Sequence, residues 1–227
     1  MKKLSTNNLL TRLLFIAVLL FAFSAVQAHP VINYAMEKAP VKDVVSYYLK
    51  IGVTHIVPYG IDHILFVISL CLLSSKIKTI LWQATAFTIA HSITLALSMK
   101  SIVVAPSAVV EPIIALSIVF VAIENMILNE LKAWRILIVF FFGLIHGLGF
   151  ASALNEVGLP RNQFFTSVLA FNAGVEFGQI FIILLVFGAI IMPFRKRAFY
   201  KKRIVFPISV IIALIATYWT IERIILL

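Results

Sequence analysis

Cysteine is nearly absent from this chain. Its one thiol, Cys71, lies inside an apolar block, so neither an intrachain disulfide framework nor a thiolate metal cluster can form. Charge is almost as scarce. Asp, Glu, Lys and Arg make up 12% of the 227 residues, where ordinary globular domains carry about a quarter, and 62% of the residues are hydrophobic. That composition excludes a soluble domain. Acids are rarer than bases, nine against 19, but the resulting net charge of +10 does not point to nucleic acid. The basic residues cluster in short loops between apolar blocks, and no basic face interleaved with aromatics accompanies them. The chain also lacks a Gly-x4-Gly-Lys-Ser/Thr loop, so it is not itself an ATP-driven pump.

What is present in quantity is apolar sequence in blocks of bilayer-spanning length, about 20 residues as helix. Residues 1–28 read as a cleavable signal peptide. Lys2, Lys3 and Arg12 form its positive region, Leu13 to Phe23 its apolar core, and Val26-Gln-Ala28 its cleavage site. An uncleaved first transmembrane helix is the alternative. Residues 29–57 form an extracytoplasmic N-terminal segment, and 58–227 an all-α integral membrane domain of six transmembrane helices. The expected spans are 58–74, 80–98, 108–128, 136–154, 164–194 and 204–226, all helical because backbone facing lipid must satisfy its own hydrogen bonds.

Orientation follows from the loops. With the mature N-terminus outside, the inner loops carry ten Lys/Arg, including Lys132, Arg135 and the run Arg195-Lys-Arg-Ala-Phe-Tyr-Lys-Lys-Arg203. The outer connections carry only Lys100 and Arg161. The expected location is the bacterial cytoplasmic membrane with an extracytoplasmic N-terminus. Gly60-Ile-Asp-His63 echoes in Gly143-Leu-Ile-His146, and Ala86-Phe-Thr88 in Ala170-Phe-Asn172, at offsets of 83 and 84 residues. Three spans per half would make such halves an inverted 3+3 repeat, a pattern of secondary transporters.

Ionisable groups inside spans cost about 2.5–3.5 kcal/mol each on insertion scales, so they need partners or a purpose. At 1.5 Å rise per residue, Asp62 and His63 fall roughly 6–8 Å below the outer helix ends. Glu111 falls about 5 Å down, His91 about 10 Å, and His146 and Asn172 about 12 Å, with Glu176 somewhat deeper. Five helices thus place costly groups in one outer layer. Thr88, His91 and Ser92 share a helix face, as do Asn172, Glu176 and Gln179. Small-residue ridges, Gly143/Gly147/Ala151 and Ala170/Gly174/Gly178, let backbones approach closely beside them.

Imidazole, carboxylate and amide together suit a divalent transition metal: Ni, Co, Zn or Cu(II). Met99, Met126 and Met192 lie at different levels, which argues against Cu(I). The candidate metal residues are Asp62, His63, His91, Glu111, His146, Asn172 and Glu176, with His29, His55, Ser92 and Gln179 as additional candidates. Each has a plainer reading. A core histidine satisfied by a neighbour would account for His91 or His146, interhelical bonding for Asn172 and Glu176, and a solvated loop residue for His55. A solvated tail residue is the plainer reading of His29. Glu124, toward the inner end, reads as a structural group.

The string Gly52-Val-Thr-His-Ile-Val-Pro-Tyr-Gly-Ile-Asp-His-Ile-Leu-Phe66 resembles the hallmark of the HupE/UreJ family. So do Ala86-Phe-Thr-Ile-Ala-His-Ser-Ile-Thr94, Val110-Glu111, Phe142-Gly-Leu-Ile-His-Gly-Leu-Gly-Phe-Ala151 and Phe171-Asn-Ala-Gly-Val-Glu-Phe-Gly-Gln179. The resemblance covers about residues 50–190. It implies a nickel or cobalt permease, or a membrane accessory protein of a hydrogenase or urease maturation system. It carries metal handling over to Asp62, His63, His91, Glu111, His146, Asn172 and Glu176. The His-x4-Asp-His signature of another nickel/cobalt permease family is not matched, because six residues separate His55 from Asp62. An intramembrane zinc-type hydrolase, with Ser92 or Glu176 in catalysis, and a non-transporting accessory protein stand as alternatives to a permease.

Overall fold

The computed structural model describes residues 35–225, so the expected signal peptide and His29 lie outside the described residues. Every regular element among them is a helix: α1 (Val41–Ile56), α2 (Ile61–Leu72), α3 (Ile77–Met99), α4 (Ser107–Ile127), α5 (Arg135–Val157), α6 (Phe164–Val186) and α7 (Phe206–Ile225). α6 continues through a π turn at Phe187–Ile191 into Met192–Phe194, and a second π turn, Lys201–Val205, leads into α7. Four stretches are long and apolar enough to cross a bilayer: Ile77–Met99, Ser107–Ile127, Arg161–Phe194 and Lys201–Ile225. α1 and α2, bent by 69°, make a fifth if taken together, and the apolar part of α5, Arg135–Ala151, is shorter.

The bend has a local cause. Val57 precedes proline and takes an extended conformation, φ −122° and ψ 115°, as residues before proline tend to. Pro58 has no N–H to continue the ladder. Gly60 then brings the chain back so close that a Cβ there would strike the His55 carbonyl and stand 3.3 Å from the Ile56 Cα. The break therefore sets the end of α1 beside the start of α2, and His55 beside His63.

The packed bundle begins earlier than Pro58. α1 lies along α6, with Gly52 and Gly174 back to back; a Cβ on either would sit 3.0 Å from the other's Cα. Tyr48 is fully buried and donates from its hydroxyl to the Gly158 carbonyl at 2.6 Å. α5 lies along α3 in the same manner: a Cβ on Gly143 would stand 2.9 Å from the Ala90 Cβ, and Thr94 donates to the Leu144 carbonyl at 2.6 Å. The two small-residue ridges thus seat on different helices. The third extensive pairing is α4 with α7.

The end of the bundle carrying the basic loops is held by a buried polar knot. Arg135, counted from the sequence among loop charges, is fully buried. Its Nη1 donates to Asn125 Oδ1 at 2.9 Å and its Nη2 to the Ser69 carbonyl at 3.2 Å, to which Asn125 Nδ2 also donates at 2.7 Å. Glu124 lies 3.0 Å from the same guanidinium, with its carboxylate off the N–H axes, so charge attraction and not a directed bond joins the pair. Lys201 Nζ donates to the carbonyls of Asn125 and Leu128, groups that α4 leaves unsatisfied at its C-terminus.

Candidate metal centre

Four histidines from four helices meet in the interior. His63 on α2 is the hub: its ring centroid lies 4.7 Å from His55, 5.1 Å from His146 and 6.1 Å from His91, while His55 and His91 stand 6.3 Å apart. Nitrogen ligands at about 2.0–2.1 Å around a tetrahedral ion place ring centroids roughly 5 Å apart, so these separations bracket what one metal requires. Among the described residues no three His, Cys, Asp or Glu side chains are poised to hold a metal ion as they stand. Closing on one ion takes rotation of the rings.

Burial makes the cluster chemically unusual. His91 is 0% exposed, His146 1% and His63 4%. The wall is aromatic: Phe87 stacks on His91 at 6.0 Å, Phe150 lies 3.8 Å from His55, and Phe150 stacks on Phe171 at 5.0 Å. Even so, five shielded ring nitrogens have no hydrogen-bond partner: His55 Nε2, His63 Nε2, both nitrogens of His91, and His146 Nδ1. A buried donor or acceptor left unpaired costs about 1–3 kcal/mol, and native interiors hold few of them. Five in one place is a concentrated expense.

Hydrogen counting fixes two of the tautomers. Asp62 Oδ1 lies 3.0 Å from His63 Nδ1 and 2.8 Å from the His63 backbone N–H. An ionised carboxylate only accepts, so Nδ1 carries the proton and Nε2 keeps its lone pair. Ser117 Oγ donates its one hydrogen to the Ile114 carbonyl at 2.7 Å, so at 3.1 Å it accepts from His146 Nε2–H. The lone pair of His146 is then on Nδ1. In both rings the basic nitrogen is the unpartnered one. This is the arrangement by which an outer carboxylate or hydroxyl prepares an imidazole as a ligand.

The expected site residues divide accordingly. His63, His91 and His146 come together, and Asp62 orients one of them from the half-buried edge. His55, open to reading as a loop residue, is in the cluster because the Pro58–Gly60 break folds it back. Glu111 is elsewhere: its carboxylate is half exposed and 3.9 Å from Arg223 at the far edge of α4. Glu176 and Gln179 face α3 through Thr85 and Thr88, and Asn172 donates within α6 to the Val168 carbonyl. Ser92 donates to the Thr88 carbonyl at 2.6 Å. Sequence reading missed Ser117 and Thr85; the only available signal was a hydroxyl in an apolar span, which is common.

Comparison with known proteins adds one finding. The family model described as HupE / UreJ protein matches residues 32–223. No curated protein and no solved structure matches the chain.

Proposed function

The chain belongs to the HupE/UreJ family, and from that premise we propose that it is a permease for Ni²⁺ or Co²⁺ whose entry site is the four-imidazole cluster. The observation that carries this reading is the set of five unpartnered, shielded ring nitrogens converging from four helices. Neutral imidazole is a good ligand for both ions, and the basic nitrogens of His63 and His146 are already turned free of their supports. Asp62 supplies negative charge at the side from which a cation enters. The Phe wall makes the ion shed water as the rings replace it. Below the cluster lies the buried Arg135, eleven residues or about 16 Å from His146 along α5.

The reading includes a six-pass topology in the cytoplasmic membrane, with α1–α2 and α5 each counted as one pass and the N-terminus outside. The pairing of helices supports an inverted repeat. Pass one packs on five, two on four, and three on six; exchanging the halves turns each pairing into another of the three or into itself. It also moves the sequence echo. α1 and α5 are the equivalent helices, so Gly52-Val-Thr-His55 answers Gly143-Leu-Ile-His146. In each, the glycine backs onto the partner helix and the histidine three residues on reaches the cluster.

Uptake of nickel or cobalt into proteoliposomes tests the proposal. The native protein is expected to take up metal, and His63→Ala and His146→Ala to lose most of that activity. Equal uptake by all three would remove the permease reading.

A further inference from the structure

A second polar group lies where α3 crosses α6. Thr85 on α3 donates to Glu176 Oε1 at 2.7 Å, and one turn along, Thr88 bonds Gln179 Oε1 at 3.2 Å. Asn172 completes the α6 face one turn before Glu176. Its amide nitrogen donates to the Val168 carbonyl at 2.8 Å, which leaves Oδ1 without a partner. Glu176 Oε2 is likewise shielded and unpartnered. Asn172 is 5% exposed and Gln179 1%. Thr85 stands about 9 Å along α3 from His91 and Thr88 one turn from it, so this group adjoins the imidazole cluster but shares no side chain with it.

We infer that the α3–α6 crossing is a monovalent-cation site, built from the oxygens of Glu176, Asn172, Gln179 and the two threonines, that binds Na⁺ as the coupling ion. Three observations carry this. First, the donors are all oxygen, the preference of hard cations, while every imidazole of the first cluster lies elsewhere. Second, the charge count selects valence. Glu176 is the one carboxylate, and among the described residues it makes no ion pair. One negative charge balances one positive charge. A proton would also balance it, and the sodium titration below decides between the two. Third, simple interhelical bonding would use up its atoms, whereas here two shielded acceptor oxygens remain.

Position fits the role. Under the exchange of halves in the repeat reading, the α3–α6 contact maps onto itself, as do the α4–α7 contact and the His63–His146 contact of pass one with pass four, which puts it on the pseudo-two-fold axis of that repeat. Coupling-ion sites in inverted-repeat carriers occupy the repeat interface near the bilayer midplane.

This inference rests on the permease reading for the word coupling, but binding can be measured without transport. Purified full-length protein, free of transition metal, is titrated with radiolabelled sodium and, separately, melted in sodium chloride or in choline chloride of equal ionic strength. Saturable sodium binding and a raised melting temperature in sodium alone are expected. Glu176→Gln, which keeps the size and the Thr85 bond, should abolish both, as should Asn172→Ala. Glu111→Gln, outside both polar groups, should keep both. The absence of saturable sodium binding in the native protein overturns the inference, as does full binding in Glu176→Gln, whatever metal uptake shows. Sodium binding with no metal uptake leaves this site standing and removes the permease.

Discussion

The two ends of the interior spend polar groups in opposite ways. Around Arg135 a full charge is buried, yet the guanidinium meets a carboxylate, an amide oxygen and a backbone carbonyl. Around His63 no net charge need be buried, yet five ring nitrogens meet nothing. The first knot is a structural solution, in which partners offset desolvation. The second is a site that bears a cost until something arrives. Comparing them teaches that an unpaired buried atom alone does not mark function. Glu124 Oε1 and Oε2, Arg135 Nε and Ser69 Oγ also lack hydrogen-bond partners, but there two opposite charges offset each other. At His63 the unpartnered atoms are basic nitrogens of several imidazoles brought together.

The largest effect should come from breaking the charge-paired end. Arg135→Ala strands Glu124 in the interior and is expected to destabilise by about 3–5 kcal/mol, read from denaturant unfolding in detergent. Replacing both partners, Arg135→Met with Glu124→Leu, should recover most of that loss. An unchanged midpoint in the single variant would contradict the contrast.

The imidazole end should respond with the opposite sign. His91→Leu removes two unpaired nitrogens, so stability without metal is expected to stay level or rise by about 1–2 kcal/mol, while metal binding falls. A large destabilisation would mean that His91 is already paired in the molecule. Smaller still are the supports. Asp62→Asn and Ser117→Ala should each weaken metal affinity roughly tenfold to a hundredfold, with melting in the absence of metal nearly unchanged, as competition with a chelator would show.

Glu111→Gln sets the baseline. Its carboxylate is half exposed and its ion pair with Arg223 is long, so neither unfolding nor metal affinity should move by more than about 0.5 kcal/mol.

Much of this was legible beforehand. The apolar blocks gave helices, and the depth of His63, His91 and His146 in their blocks gave one layer. Three features were not legible. His55 joins the cluster only because the break at Pro58 and Gly60 bends the chain by 69°, a tertiary event that spacing on one helix does not encode. Glu111 shares the layer's depth but lies on the wrong side of α4, since depth fixes height and not direction. Arg135 sits at a block edge, where a lysine or arginine ordinarily reaches solvent; only the placement of Glu124 and Asn125 eleven and ten residues earlier explains its burial.

X-ray absorption at the metal edge, on purified protein loaded with cobalt or nickel, tests the central claim most directly. Three or four imidazole nitrogens in the first coordination shell are expected, with the count falling by one in His63→Ala and in His146→Ala. A bound ion whose shell is all oxygen, or a spectrum identical in the native protein and both variants, would contradict it.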